Sequence, residues 1–508
     1  MFSAARRPAA LLARIATPTT TRRFASTVGS KPAPVPRRPN GKATAGLAGA
    51  VSLAASAGFL WWSPSKNEGQ GMPDLDQPEG KHVQYSAFLP PTLTPDDVTR
   101  LLAQNAFSVA APRGLASLTR YDGAQLASNS PCEDRLVHGS IASPCGSRNG
   151  GNRWAVWAVL DGHAGAATAD VMSRALVPFV QHRLREACRG GTDADAGVIE
   201  RAISQAFVDL DKAIMDTAAA APASEASLAS KVRTMMPAFS GSCALLALYD
   251  TDKGQLHVAC TGDSRAVLGR QVSGGNGTDT WETLPLSVDQ TGYNKDEVAR
   301  LQAEHPGEDE TIVKDGRVLG MAVSRAFGDS RWKWPVEFQE SIRRRFYAPR
   351  PLTPTYDVRT PPYLKAEPVL TTVRLEPGQK SFLILASDGL WDHVKSNEAV
   401  DLVGRWLDPT AVPPASKAVA SKADDKDEKK SEIPEGEPFD FGHFWKGVYY
   451  KFVPERTIVE DSNAAVHLIR NSLGGNHTEM LTARLTFGAP DSRRLRDDTT
   501  VQVAFFNC

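Results

Sequence analysis

Acidic residues at the ends of apolar, β-prone runs constrain what this 508-residue chain can fold into more than any other feature. The run WAVWAVL (154–160), for example, leads directly into Asp161. In the same way, FLILA (382–386) precedes Ser387 and Asp388. The end of a strand is a rigid position at the rim of a sheet, so carboxylates on several strand ends can converge on one place. Their mutual repulsion then requires cations, and hard divalent ions such as Mg²⁺ or Mn²⁺ suit a group of oxygen ligands.

Composition excludes some partners and some kinds of site. Hydrophobic residues make up 41% of the chain, which supports a sizeable core, and the length allows one large domain or two to three ordinary ones. Lys+Arg and Asp+Glu are equal at 58 each, so the net charge gives no reason to expect a nucleic acid as partner. The six cysteines are scattered and form no CxxC pair, so we expect reduced, mostly structural thiols rather than a disulfide framework or a zinc site.

Residues 1–42 are predicted to be a mitochondrial transit peptide with a basic linker. No Asp or Glu occurs before Glu68, and arginines recur through a segment rich in Ala, Ser and Thr, which is typical of such leaders. Arg22 and Arg23, followed by Phe-Ala-Ser, resemble the cleavage site of a matrix protease. A disordered basic tail is the alternative interpretation.

The uncharged run 43–62 is close to the ~20 residues that a helix needs to cross a bilayer. It follows basic residues and ends in aromatic residues that suit a membrane interface. As an anchor in the inner mitochondrial membrane, it would leave the rest of the chain in the intermembrane space. As part of a leader that is removed, it would release a soluble matrix protein. Residues 63–83 are predicted to be a polar linker.

Residues 84–508 are predicted to form one large domain with two inserts. Strand-like runs fall around 154–160, 243–249, 256–260, 265–268, 382–386 and 501–506. Amphipathic, helix-like stretches fall around 166–188, 196–219 and 294–304. The first insert, 331–364, is either a substrate-facing flap or a solvated surface excursion. The second, 410–438, has a low-complexity composition that predicts a disordered surface loop.

Eight short motifs occur in an order that resembles a known family. They are Glu133-Asp134, VLDGHAG (159–165), FSGSCA (239–244), ACTGDSRAVLG (259–269), LSVDQ (286–290), VSRAFGD (323–329), LASDGLWD (385–392) and RDDTTV (496–501). Together they resemble the type 2C, metal-dependent protein serine/threonine phosphatases over roughly residues 110–508. Three further segments resemble the mitochondrial pyruvate dehydrogenase phosphatase branch and its fungal relatives: LASNSPCEDR (126–135), LQAEHPGE (301–308) and TPPYLKAEP (360–368).

This resemblance implies an α+β fold, a four-layer αββα sandwich of two antiparallel β-sheets flanked by helices, with a metal site at one rim. It also implies two Mg²⁺ or Mn²⁺ ions and a weaker third ion. The implied metal ligands are Glu133, Asp161, Gly162, Asp388 and Asp497 for the pair, and Asp263 and Asp392 for the third ion. Asp161 would bridge the pair, the Gly162 carbonyl would be a further ligand, and Asp134 would orient water.

The implied reaction is hydrolysis of phosphoserine and phosphothreonine by a metal-activated water. Two ions lower the pKa of the water that they share, and they neutralise the phosphate dianion. His163 matches the family's general acid, which protonates the leaving alkoxide. No nucleophilic cysteine is needed, and Cys243 and Cys260 are expected to be core thiols.

The chain departs from the family pattern at the position that binds the substrate phosphate. Many relatives have an arginine four residues before the Glu of the Glu-Asp pair, whereas this chain has Asn129 there. An amide can donate hydrogen bonds to phosphate, but it supplies neither charge nor a bidentate fork. Phosphate capture would then depend more on the metals or on another arginine, for which Arg120 and Arg135 are candidates. Gln290 also replaces a frequent histidine, which leaves that side chain without an assigned role.

The leading hypothesis is dephosphorylation of mitochondrial proteins, with the pyruvate dehydrogenase E1α subunit as the first candidate substrate. The alternative is a pseudophosphatase or membrane-tethered scaffold that binds phosphoproteins without turnover, although retention of Asp161, Asp388 and Asp497 argues against it. A nuclease-like metal hydrolase is disfavoured by the neutral charge and by the lack of a basic, aromatic-lined groove. Because pyruvate dehydrogenase lies in the matrix, this substrate conflicts with a location in the intermembrane space.

Overall fold

The computed structural model of the chain describes residues 93–111, 115, 117–145, 153–189, 194–273, 279–409, 439–441 and 452–508. All of these belong to one compact unit. The predicted transit peptide, anchor and linker (1–83) and the insert 410–438 lie outside the described residues. Within the described ranges, no helix is both long enough and apolar enough to cross a membrane.

The strands of the described ranges are short and lie mostly in two large sheets. They are β1 Phe107–Ala110, β2 Leu118–Leu126, β3 Arg135–Ala142, β4 Arg153–Leu160, β5 Gly162–His163, β6 Gly241–Ser242, β7 Ala244–Asp250, β8 Gln255–Thr261, β9 Arg265–Ser273, β10 Asp279–Pro285, β11 Val313–Lys314, β12 Arg317–Val318, β13 Phe327–Gly328, β14 Val369–Arg374, β15 Ser381–Ala386 and β16 Thr499–Phe506. Each run that we predicted as a strand coincides with one of these strands.

The two large sheets are antiparallel. The first has the strand order β1-β2-β16-β15-β9-β10, and the second has the order β14-β8-β7-β4-β3. In the middle of the first sheet, Ile384 of β15 pairs with Val503 of β16 on one side and with Val267 of β9 on the other. Every residue of β15 is buried, which explains why it is a continuous apolar run instead of an alternating one.

The helices of the described ranges either flank the outer faces of the two sheets or lie in the connections between strands. They are α1 Pro95–Ala103, α2 Ala167–Ala187, α3 Ala196–Ala220, α4 Leu228–Phe239, α5 Lys295–Glu304, α6 Asp309–Ile312, α7 Ser330–Lys333, α8 Val336–Phe346, α9 Asp388–Trp391, α10 Ser396–Leu407, α11 Ala464–Leu473 and α12 Thr478–Thr486. Side-chain caps fix where several of them begin: Asp195 accepts a hydrogen bond from Val198 N at the start of α3, and Asn463 caps α11 in the same way.

Apolar side chains form separate core layers on each side of the two sheets. Trp157 and Phe506 belong to the layer between the sheets. Met172 and Phe179 of α2 pack with α3 against the outer face of the five-stranded sheet. Helices α10 and α11 cover the outer face of the six-stranded sheet. The order helix, sheet, sheet, helix confirms the predicted α+β sandwich.

The predicted insert 331–364 is packed into the domain instead of forming a solvated excursion. Trp332 and Tyr363 share one buried cluster with the region of α5 and α6. Trp334 and Phe346 lie in a second cluster together with residues of α3 and α4. A role of this segment in facing the substrate stays a prediction.

The expectation of reduced cysteines is wrong for one pair. Cys145, shortly after β3, and Cys188, at the end of α2, form a disulfide with Cα atoms 4.8 Å apart. The packing of α2 against β3 brings together two residues that are 43 positions apart, and no local spacing signals such a contact. Cys243 and Cys260 are buried free thiols, as expected for core residues.

A buried ion-pair network anchors the loop that contains the VSRAFGD motif. The carboxylate of Glu297 in α5 accepts hydrogen bonds from Arg325 Nη2 at 2.6 Å, Arg300 Nη2 at 2.8 Å and Ser324 Oγ at 2.7 Å. The side chains of Glu297 and Arg325 are only 5% and 9% exposed. Burial alone would raise the pKa of Glu297, but the bonds from Arg325 and Arg300 outweigh it and lower that pKa to about 2.

Glu297→Gln is expected to lower the free energy of unfolding at pH 7 by about 3–5 kcal/mol, because it leaves Arg325 buried without its counter-charge. The stabilisation by Glu297 is fully present above the unfolded-state pKa of 4.5 and is lost as the pH falls to about 2. Urea denaturation at several pH values should therefore show the difference between wild type and variant shrinking over that window.

Glu282→Gln is the matched control, because its partner Arg270 and Glu282 itself are 32% and 45% exposed. Removal of this surface ion pair should lower the free energy of unfolding by less than about 1 kcal/mol. Equal losses in the two variants would contradict the importance of the buried network.

Candidate active site

Three carboxylates from distant parts of the chain meet at one rim of the sandwich. Asp161 follows β4, Asp263 lies in the turn between β8 and β9, and Asp388 begins α9 just after β15. One carboxylate oxygen of each residue lies within 4.8 Å of the others. No other group of three or more Asp, Glu, His or Cys side chains is arranged this closely in the described part of the chain. The structure therefore brings together three of the predicted metal ligands.

This acidic group is unfavourable unless a cation balances its charge. Burial raises the pKa of Asp161 well above its usual range, and the neighbouring carboxylates of Asp388, Asp134 and Asp263 raise it further. Burial also raises the pKa of Asp134 to about 7. The Asp134 Oδ1 atom is buried and has no hydrogen-bond partner among the described residues. Clustered oxygen ligands with an unpaired buried acceptor fit a hard divalent cation such as Mg²⁺ or Mn²⁺.

Glu133 reaches the same rim through a close backbone contact. A Cβ atom added to Gly162 would lie 2.3 Å from the carbonyl oxygen of Glu133, so only glycine permits this approach. Glu133 Oε1 accepts a hydrogen bond from Gly165 N at 2.8 Å. Burial raises the pKa of Glu133, and the Gly165 amide and the charges of His163 and Arg493 oppose only part of that rise.

Asp498 organises the loop that carries Glu133, a role that no local sequence pattern indicates. Its Oδ1 accepts hydrogen bonds from the backbone N–H groups of Ser128 at 2.5 Å and Asn129 at 2.9 Å. Its Oδ2 accepts from Glu133 N at 2.7 Å and from Asn129 Nδ2 at 3.0 Å. Burial alone would raise the pKa of Asp498, but these hydrogen bonds outweigh it and hold that pKa below its usual range.

The candidate phosphate ligands from the sequence are engaged in structural contacts. The side-chain amide of Asn129 is used in the loop contact just described. Arg120 donates its Nε and Nη2 to the two carboxylate oxygens of Asp122, both at 2.7 Å. Arg135 donates its Nε to Asp170 and its Nη1 to two backbone carbonyls. A role for these three side chains in substrate binding stays a prediction.

His163, the predicted general acid, is paired with Asp329. His163 Nε2 lies 2.8 Å from Asp329 Oδ2, and a Cβ atom added to Gly241 would lie 2.1 Å from that nitrogen, so the pair needs glycine there. Burial alone would lower the pKa of His163, but the carboxylates of Asp329, Asp263 and Glu133 outweigh it and raise that pKa. Asp329 has φ of 55°, a left-handed conformation that costs a non-glycine residue about 1–3 kcal/mol and is common at functional sites.

Two neutral side chains hold the acidic turns in place. Gln290 accepts a hydrogen bond from Gly262 N at 2.8 Å and donates one to the Cys260 carbonyl at 2.9 Å. These bonds fix the turn that carries Asp263. Ser387 Oγ donates to a carboxylate oxygen of Asp134 at 2.9 Å. Gln290 therefore positions the turn that carries Asp263. The sequence alone had left this side chain without an assigned role, because many relatives have histidine at its position.

Asp392 and Asp497, two further predicted ligands, lie outside the three-carboxylate group. Asp392 ends α9, and its backbone N–H donates to the Asp388 carbonyl at 2.8 Å. Asp497 precedes β16, and its Oδ2 is paired with Nη1 of Arg493. Their assignment as metal ligands stays a prediction, as do those of Glu133 and the Gly162 carbonyl.

Addition of Mg²⁺ or Mn²⁺ to the metal-free protein is expected to raise its melting temperature, because a divalent cation cancels the repulsion within the three-carboxylate group. At a hundredfold excess over the dissociation constant, the stabilisation is about 2.7 kcal/mol. Scanning fluorimetry measures the shift, and EDTA should reverse it. Asp388→Asn should lose most of the shift, whereas Asp216→Asn, a 61% exposed position on α3, should keep it. A wild-type protein without any shift would contradict the metal site.

A family model and three related proteins that match this chain are all described as protein phosphatases. The family model described as "Protein phosphatase 2C" matches residues 126–429. A Schizosaccharomyces pombe protein named as a protein phosphatase 2C homolog is 36% identical over 493 residues, which cover 95% of this chain and 98% of that protein. Mitochondrial pyruvate dehydrogenase (acetyl-transferring) phosphatase 1 of Saccharomyces cerevisiae is 36% identical, with coverage of 76% and 68%. The human mitochondrial phosphatase 2 of the same name is 32% identical, with coverage of 77% and 78%.

Proposed function

This chain belongs to the protein phosphatase 2C family of metal-dependent protein serine/threonine phosphatases, and we propose that it hydrolyses phosphoserine and phosphothreonine in mitochondrial proteins. The main support for this reaction is the clustering of Asp161, Asp263 and Asp388. This group lies at the same rim as the His163–Asp329 pair. As the substrate we propose the pyruvate dehydrogenase E1α subunit, because relatives at 36% and 32% identity are named as mitochondrial pyruvate dehydrogenase phosphatases.

In the proposed mechanism, the three clustered carboxylates hold divalent ions and His163 supplies a proton. The bound ions would act as Lewis acids that activate water and neutralise the phosphate dianion. A serine or threonine alkoxide is a poor leaving group, so it needs the proton that His163 donates. Because Nε2 of His163 is engaged by Asp329, we assign this donation to Nδ1. The raised pKa of His163 favours the protonated form that this step requires.

The proposed substrate requires a location in the matrix, and we propose that residues 1–42 direct the chain there. The anchored alternative, with 43–62 in the inner membrane, would place the phosphatase domain in the intermembrane space. Protease treatment of mitochondria that have imported the full-length chain separates the two. If the phosphatase domain is digested as soon as the outer membrane is ruptured, E1α is excluded as the physiological substrate. If the domain is protected until the inner membrane is dissolved, the matrix location and this substrate are supported.

The reaction and the substrate can be tested together with the full-length protein. Phosphate release is measured from phosphorylated E1α and from an unrelated phosphoserine peptide, with Mg²⁺ or Mn²⁺ and then with EDTA. Metal-dependent release that is faster from E1α supports both proposals. Release from the peptide but not from E1α refutes the substrate alone. Stable binding of phosphorylated E1α without any release would favour the phosphoprotein-binding scaffold.

A further inference from the structure

Arg493 brings a positive charge to the acidic rim. It lies in the 3₁₀ turn Asp491–Arg494, and its Nη1 is paired with Oδ2 of Asp497. Its charge also acts on the carboxylate of Glu133, which belongs to the opposite end of the domain sequence. The Arg493 side chain remains 49% exposed. A substrate arriving from solvent can therefore reach this guanidinium.

Three other candidate arginines are held by contacts within the protein. Arg496 is buried and donates to the backbone carbonyls of Ala127 and Arg484. Arg120 and Arg135 are held in the contacts described above. Within the described residues, Arg493 has Asp497 as its one ionic partner. Since a guanidinium carries five N–H donors in a planar fork, most of the Arg493 donors remain for a ligand.

The charge of Arg493 suits a bound anion better than a bound metal ion. A guanidinium that is paired with Asp497, and whose charge also acts on Glu133, weakens the negative potential that these carboxylates offer to a divalent cation. The same guanidinium attracts a phosphate dianion, and its fork matches two phosphoryl oxygens. A cation at this position therefore opposes metal binding and favours phosphate binding.

We propose that Arg493 binds the phosphoryl oxygens of the substrate at the acidic rim, in place of the arginine that this chain lacks at position 129. The inference rests on the proposed phosphatase function. Asn129 carries no charge, and its amide already donates one hydrogen bond to Asp498 at 3.0 Å. Arg493 reaches the same rim from the opposite end of the domain sequence and supplies both the charge and the fork that an amide lacks.

Arg493→Ala in the full-length protein is expected to raise KM for a phosphoserine peptide about ten- to a hundredfold, with a smaller change in kcat, because charge-assisted hydrogen bonds to phosphate are lost. The dissociation constant of inorganic phosphate from the Mg²⁺-loaded protein, measured by calorimetry, should rise by a similar factor. Arg493→Lys keeps the charge without the fork and should recover part of the loss. Arg494→Ala removes the same charge from the neighbouring exposed residue and is the matched control.

Equal phosphate affinity in the wild type and Arg493→Ala would overturn the proposal. Weaker Mg²⁺ binding with an unchanged KM would also overturn it, because Arg493 would then act only by supporting Asp497. Equal losses of phosphate affinity in the Arg493 and Arg494 variants would show that only the net positive charge of the region matters. That result would also count against the proposal. Since phosphate binding is measured directly, a wild type that binds phosphate through Arg493 without turnover would support this proposal and refute the proposed reaction.

Discussion

Asp161→Asn is expected to lower kcat/KM on phosphoserine substrates by about 10³-fold or more, since bound metal ions supply several kcal/mol of transition-state stabilisation. Among the described residues, Asp161 belongs to the one group of three clustered carboxylates, with oxygens of Asp263 and Asp388 within 4.8 Å. Asparagine has nearly the same shape but no charge, so the remaining carboxylates hold a divalent ion more weakly. Steady-state kinetics with saturating Mg²⁺ or Mn²⁺ measure the loss.

The folding of this variant provides a test that does not depend on activity. Because Asp161→Asn removes one of the mutually repelling carboxylates, the metal-free variant should be at least as stable as the metal-free wild type. Its melting temperature should rise less than that of the wild type when Mg²⁺ is added. Asp216→Asn, on the exposed surface of α3, should behave as the wild type in both assays. Full activity of Asp161→Asn would contradict the assignment of the site.

The strands were predictable wherever both faces are buried. The runs 154–160 and 382–386 are continuously apolar because one face of each sheet packs on the other sheet and the opposite face packs on helices. Strand β2 was not predicted, because its sequence LTRYDGAQL mixes charged and small residues. The buried carboxylate of Asp122 in that strand is balanced by Arg120, and it accepts a further hydrogen bond from Ala464 N.

The acidic residues that meet at the rim could also be predicted from the sequence, whereas the residues that support them could not. Asp161, Asp263 and Asp388 each follow a strand, so sheet formation alone brings them to a rim. Asp329 and Asp498 act through partners that lie 166 and 370 residues away. Both occur in motifs that match the family pattern, but no local pattern shows which side chain each one contacts. Only the tertiary packing assigns their roles.

His163→Ala is expected to lower kcat on phosphoserine substrates by about 10²–10⁴-fold and to have a much smaller effect on p-nitrophenyl phosphate. Nitrophenolate leaves as a stable anion, whereas a serine alkoxide needs the proton that a general acid donates. The comparison of the two substrates separates proton donation from general damage to the site. His182→Ala, on the exposed surface of α2, is the matched control and should leave both activities unchanged.

Asp329→Asn should reproduce this leaving-group dependence at a smaller magnitude, because Asp329 acts through His163. An asparagine can still form a hydrogen bond to Nε2, but it removes the charge that helps to keep the imidazole protonated. The loss of kcat on phosphoserine substrates should therefore exceed the loss on p-nitrophenyl phosphate. The double variant His163→Ala/Asp329→Asn should have a kcat no lower than that of His163→Ala alone. Additive losses in the double variant, or equal losses on the two substrates, would contradict the role of Asp329 as the residue that positions the acid.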